Sequence, residues 1–490
     1  MGDRLARGRR RHRIVLPATL AVFALVAAAC GDDDDDDAAT EETAEATGET
    51  TDATTAPTEA ATTAPVEETT APTEAPADTT AEATAEETTE ETAEETSAPA
   101  EVEGKVTDFA AYVGGSGPAD DSLEPIKVGY FNQQGGAVEV THTNIDGVNN
   151  AVQYINEEAG GIGGHPLEVV TCYVANAEEE GQQCGQQFAN DDSIVAVLSG
   201  PTFIGTESFY AALAGSKPVI HGVSVSPADT VQDTAAVLYG GAKYILAPYA
   251  TFARDTLGTQ TAALIYPQGA GQDEGAEGQA TAFEAAGIPT EVVSYPADTP
   301  DLTVPLLAAG AQDVDLVMPV INPNDCVKFQ QAIEQLGIPD EKVLASPICI
   351  QQAVAEALPN GQPQWYYAVA SSLSIDPTDP SVPPYTDILT AHGNEAMIGD
   401  PWILVGFGQT MTLAKFLNAV GPDDLTPEAV VDQMKAFEGP LILGSPVLQC
   451  GKYPEAPGVC NDYTQFYKFN GDAGWENASG FVPPPEGWVP

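Results

Sequence analysis

From Ile126 onward, short apolar runs of strand length alternate with stretches of helical length, and the pattern starts again near Thr261. This alternation restricts the chain to doubly wound α/β units, with helices packed on a mostly parallel sheet; its restart makes two similar halves in series. In the first half, residues 126–131, 167–173, 194–198 and 217–220 read as strands, and their apolar character fits burial on both faces. Helices are expected at 143–158, where Ile145, Val148, Val152 and Ile155 share one face, and at 177–191 and 206–214. Glycines 160, 161, 163 and 164 end the first of these, because glycine tolerates the left-handed cap. In the second half the strands are 262–266, 291–295, 316–320 and 342–344, with helices at 274–286 and 325–336. Beyond Ser371 come helices at 402–420 and 427–437, and strands near Val447 and Phe466.

The stretch before this alternation has a different character. Residues 31–122 are mostly Thr, Ala, Glu, Pro and Asp, and large apolar side chains are nearly absent until Val102. Such a composition does not offset the entropy of folding, so a disordered linker is expected, extended by charge repulsion. Residues 1–30 read as a lipoprotein signal peptide. Arg4, Arg7, Arg9, Arg10, Arg11 and Arg13 form a positive head, residues 14–29 an apolar run, and Ala27-Ala28-Ala29-Cys30-Gly31 a cleavage box. Small residues before a cysteine suit a peptidase that needs slim side chains at the cut and a thiol to acylate. Cys30 is therefore the expected lipidation site. The apolar run is shorter than the ~20 residues that span a bilayer, and no other segment is expected to cross one. The arginine run leaves the Sec and twin-arginine export routes both open. The expected location is extracytoplasmic, anchored by lipid to the outer face of the membrane.

Lys plus Arg number 17 against 73 Asp plus Glu, a formal net charge of −56. That sign excludes a nucleic-acid partner and repels an anionic membrane surface. Apart from Cys30, six cysteines remain, and they fall as neighbours along the chain: Cys172 with Cys184, Cys326 with Cys349, Cys450 with Cys460. Outside the cytoplasm disulfides persist, and three local bridges are the simplest pairing. There is no CxxC spacing and no cysteine pair with a nearby histidine, so no metal is expected.

The opening run 126–131, followed by Asn156-Glu157-Glu158-Ala159-Gly160-Gly161-Ile162-Gly163-Gly164-His165, resembles the start of the branched-chain amino-acid type of periplasmic solute-binding protein. The similarity continues at Ser199-Gly200-Pro201-Thr202, at Lys217-Pro218-Val219-Ile220 and at Ser226-Pro227-Ala228-Asp229-Thr230. In the second half it continues at Ala263-Leu264-Ile265-Tyr266 and Phe283-Glu284-Ala285-Ala286-Gly287. The resemblance implies a type I periplasmic-binding-protein fold: two Rossmann-like lobes, 123–248 plus 373–437 and 249–372 plus 438–490. They would be joined by three crossovers near 246–251, 370–374 and 437–440. It implies a small-molecule ligand held in the cleft between lobes, ABC permease and ATPase subunits as partners, no cofactor and no catalysis. A ligand-sensing receptor built from the same lobes is the alternative.

Carried over position by position, the resemblance places Gln133, Thr202, Phe203, Val223, Ser224, Ala270, Asn322, Asp325 and Phe407 at the ligand. The departures concern the groups that would hold an amino acid. Serines usual near Phe203 and Ile204 are absent, Val225 stands where threonine is common, and Ala270 replaces a tyrosine. Neither Pro347 nor Ile348 supplies the acid that pairs with an ammonium. Asp325, beside Asn322 and Asn324, is either a ligand contact or a helix cap. A branched-chain amino acid and a neutral, amide-like ligand both remain open. Gly269-Ala270-Gly271 with Gly275 looks like a dinucleotide loop, but its spacing is GxGxxxG and no acid ends the next strand; a helix N-terminus at the cleft is expected there instead. His142, His165, His221 and His392 are scattered, His221 alone following a predicted strand.

Overall fold

A computed structural model of the protein describes residues 104–136, 141–269 and 272–490. The signal peptide, Cys30, most of the linker and Ala270 therefore lie outside the described residues. Among the described residues, twelve strands form two α/β layers. In the first, β1 (Ile126–Gln133), β2 (Leu167–Val174), β3 (Ile194–Ser199), β4 (Val219–Ser224) and β5 (Ala235–Gly241) lie in the order β2-β1-β3-β4-β5. Every pairing is parallel. The six last residues of β1 are all buried, as a strand covered on both faces requires.

In the second layer, β6 (Ala262–Pro267), β7 (Thr290–Tyr295) and β8 (Leu316–Pro319) run in the order β7-β6-β8. β9 (Leu344–Ala345), β10 (Tyr366–Val369), β11 (Thr464–Phe469) and β12 (Trp475–Val482) follow in the order β12-β11-β10-β9; β9 and β10 are parallel, and β11 and β12 run antiparallel to their neighbours. A parallel bridge between Val317 and Val343 joins the two groups at that edge.

The helix Pro401–Val420 is the keel of the first lobe. It is capped by Asp400, whose carboxylate accepts from the Trp402 and Ile403 amides at 2.8 and 3.3 Å, with proline at the first helical position. By length and composition it is apolar enough to cross a bilayer, against the expectation that no second segment would be. Its apolar character serves the core instead: 14 of its residues are buried. It crosses the helix Asn144–Glu157 at backbone contact. A Cβ on Gly147 would sit 2.0 Å from the Ile403 carbonyl oxygen, and one on Gly406 would sit 2.2 Å from that of Asn144. Backbone on both sides leaves nothing to yield. Gly147→Ala is therefore expected to cost roughly 3 kcal/mol, the upper end for overpacked sites, read as a lower urea midpoint with unchanged slope.

Four further expectations need correction. The linker expected over 31–122 is ordered at its end. Asp108 caps a helix Phe109–Val113 whose Phe109, Tyr112 and Val113 are buried, with Phe109 beside the Phe407 ring and the Tyr112 hydroxyl 3.1 Å from that of Thr412. Apolar side chains at helical spacing override the polar composition around them. Val447 is not in a strand. Ser445 Oγ donates to its carbonyl and accepts from its amide, replacing ladder bonds, and Pro446 precedes it. The last crossing between lobes also comes later than 437–440. Leu441, Ile442, Leu443 and Leu448 are buried in the first lobe's core, and the chain joins the second sheet at Thr464. The first crossing follows Gly241, since Tyr244 already packs in the second core.

The three expected disulfides form: Cys172–Cys184, Cys326–Cys349 and Cys450–Cys460.

Candidate ligand-binding cleft

The carboxyl ends of β4, β8, β9 and β10 converge on a cavity of about 190 Å³ between the two sheets, the place where open α/β sheets bind ligands. Val223, Ser224 and Val225 reach it from the end of β4. Pro319, Val320 and Ile321 come from β8, Ser346, Pro347 and Ile348 from β9, and Val369, Ala370 and Ser371 from β10. The Asp400 cap starts its helix at the cavity wall, so Pro401, Trp402 and Val405 close one side. Gly275 lets another helix approach: a Cβ there would already touch Leu246 at 3.1 Å. Tyr249 lines the cavity with its ring edge-on to Phe466.

None of the described lining residues carries a charge. Most of their polar groups are already engaged. Ser224 Oγ donates to Asp229 Oδ2 at 2.8 Å, Ser371 Oγ to the Ser372 carbonyl, and Thr464 Oγ1 to the Ile245 carbonyl. Gln272 Nε2 donates to Asn322 Oδ1 at 3.0 Å. Behind Ser224 lies a buried group of three. Asp229 Oδ1 is 3.3 Å from His221 Nε2, which is 2.6 Å from the Tyr210 hydroxyl. Burial holds the His221 imidazole below its usual pKa and pushes the Asp229 carboxyl above its own, against the attraction between them. Both shifts oppose charge behind the cavity wall.

Of the residues predicted at the ligand, the structure brings Phe203, Val223 and Ser224 to the cavity. The others that are described do not line it. The Gln133 side chain is buried and accepts from the Phe203 amide at 3.0 Å, so it holds the loop that carries Phe203. Thr202 is buried and donates to the Gly200 carbonyl. Asn322 meets the cavity only through Gln272. Asp325 is 3 % exposed and accepts from Lys328 Nζ at 2.7 Å and the Tyr295 hydroxyl at 3.1 Å, a structural ion pair. Phe407 is fully buried against Phe109 and Tyr385. Sequence reasoning missed Tyr249, Ser346, Gln351 and Trp402. The one local signal was Asp400-Pro401-Trp402, a helix start with an aromatic in its first turn. Among the described residues no cluster of His, Cys, Asp or Glu is arranged to hold a metal.

The turn Pro347–Cys349 is tied to the helix Pro323–Leu336 by the Cys326–Cys349 bridge. Replacing both cysteines by serine should cost about 3 kcal/mol by the chain-entropy account of a loop this long. The same variant should bind ligand more weakly, since Ile348 lies in the freed turn. Denaturant titration and calorimetry read the two effects separately.

A family model described as "Periplasmic binding protein" matches residues 125–449. No curated protein matches the chain. Among solved structures it is similar to a leucine-binding protein from Thermotoga maritima, at 12% identity and TM-score 0.59 over 73% of this chain and 99% of that one. It is similar to a branched-chain amino acid transporter substrate-binding protein from Streptococcus pneumoniae, in complex with isoleucine, at 17% identity and TM-score 0.58 over 74% and 100%. It also resembles a fatty acid ABC transporter substrate-binding protein from Thermomonospora curvata, at 14% identity and TM-score 0.58 over 76% and 97%. At these identities the likeness is one of fold.

Proposed function

The chain belongs to the periplasmic binding protein family, and from that premise we propose that it is the solute-binding component of an ABC importer. It is tethered outside the cell by lipid on Cys30 and takes up a small molecule between its lobes. The observation that carries this reading is the cavity itself. It lies at strand ends of both sheets, at the crossover residues Ala370 and Ser371, so a ligand there touches both lobes and favours their closure. The role ends at capture. The lining serine and threonine hydroxyls are hydrogen-bonded to a carboxyl group or to backbone carbonyls, except Ser346, which has no acid or base beside it in the described wall. The sequence leaves a branched-chain amino acid and a small amide as ligand classes, and the uncharged wall favours the second.

Affinity capture of the full-length protein from detergent-solubilised membranes of the cells that make it tests the transport role. An ABC permease with its ATPase is the expected partner. Recovery of a sensor kinase or receptor in their place would replace transport by sensing.

A further inference from the structure

The chemistry of the cavity wall narrows the ligand class; the argument rests on the proposed solute-binding role of this same cavity. A free amino acid brings an ammonium and a carboxylate, and each, once out of water, needs an opposite charge or a full set of hydrogen bonds. The described wall offers no charged side chain. Val223, Val225, Ile321 and Val405 instead present continuous apolar surface. Four side chains in the wall have polar groups that remain wholly uncommitted: Ser346, Gln351, the Tyr249 hydroxyl and the Trp402 indole N–H make no hydrogen bond to another described residue. Ser346 and Gln351 stand on either side of the Pro347–Cys349 turn, and both line the wall. Tyr249 is 3 % exposed, and burial keeps its phenol protonated far above the usual range.

We propose that the cavity selects an uncharged, predominantly apolar small molecule with a neutral hydrogen-bonding end, which Ser346 and Gln351 orient, and that it discriminates against zwitterions. Ser346 and Gln351 are specificity-determining residues in this account. Each supplies neutral donors and acceptors that suit an amide, a ketone or an alcohol and leave a full charge uncompensated.

The test uses four compounds with one carbon skeleton and different charges, titrated calorimetrically into the full-length protein. They are leucine, 4-methylpentanoate, leucinamide as its cation, and uncharged 4-methylpentanamide. The amide is expected to bind at least about tenfold more tightly than each of the others. Ser346→Ala and Gln351→Ala should each weaken it about three- to tenfold without weakening the charged compounds in proportion. Val225→Asp, which puts a carboxylate on a half-buried part of the wall, should move the preference to leucinamide, while Val225→Asn should not; melting curves confirm that both variants fold. Leucine or 4-methylpentanoate binding as tightly as the amide would overturn the proposal. So would equal amide affinity in the Ser346 and Gln351 variants, or no binding by any of the four. None of these results touches the transport role, which stands or falls on recovery of the permease.

Discussion

Val223→Trp is expected to abolish ligand binding. The valine is half-buried at the end of β4 and faces the cavity, so an indole there occupies much of a space of about 190 Å³. Affinity for 4-methylpentanamide should fall more than about 100-fold, equivalent to ~2.7 kcal/mol. Because the added ring enters existing space and not the packed core, the melting midpoint should stay close to that of the parent protein. Calorimetry beside a melting curve separates the two readouts. Retained affinity with a bulky residue at 223 would mean that the ligand sits elsewhere.

Asp379→Ala is expected to be the most damaging single charge removal. The carboxylate is buried and accepts from Lys105 Nζ at 2.8 Å, from the Ser372 and Ser381 hydroxyls at 2.6 Å each, and from the Ser381 amide at 3.0 Å. It thus ties Lys105, near the start of the described chain, to Ser372 in the crossover between lobes. Truncation leaves a mostly buried ammonium and two hydroxyls without their acceptor. Breaking such a pair costs about 3–5 kcal/mol, and the partial exposure of Lys105 places this case at about 3. The pH dependence has a definite sign. Burial alone would raise the Asp379 pKa, but Lys105 and the hydroxyls outweigh it and hold the carboxyl below the usual range. Its stabilisation is therefore fully present above the unfolded pKa of about 3.9 and is lost as pH falls through the lower folded value. The gap between Asp379→Ala and the parent protein, measured by urea titration, should be widest near neutrality and close in acid. A gap that is constant or widens in acid would contradict this assignment.

Periodic patterns made much of the fold legible. The runs 126–131 and 194–198 are apolar on both faces because parallel sheets are covered twice, and the restart at Thr261 marks the second sheet. The cysteine pairs were legible from proximity alone. Elements set by tertiary packing were not. The helix Phe109–Val113 has five residues and would be marginal in isolation; it exists because Phe109 and Tyr112 dock on the helix Pro401–Val420. In the cleft, the strand ends were placed but side-chain direction was not. Gln133 and Thr202 stand at the right ends of their strands, yet both turn inward to hold loops. Asp325 pairs with Lys328 one helical turn along its own helix, a partner more local than any ligand. Ser346, Gln351 and Tyr249 carried no sequence signal, since isolated polar residues in a turn or helix acquire meaning only when the opposite wall is known to be apolar.

The most direct test of the central claim is to unfold the protein, purified from the cells that make it, and identify by mass spectrometry what it releases. The account predicts a stoichiometric, uncharged and largely apolar small molecule, absent from the Val223→Trp protein prepared in the same way. Stoichiometric release of an amino acid or another charged solute, or of the same compound from the Val223→Trp protein, would contradict it.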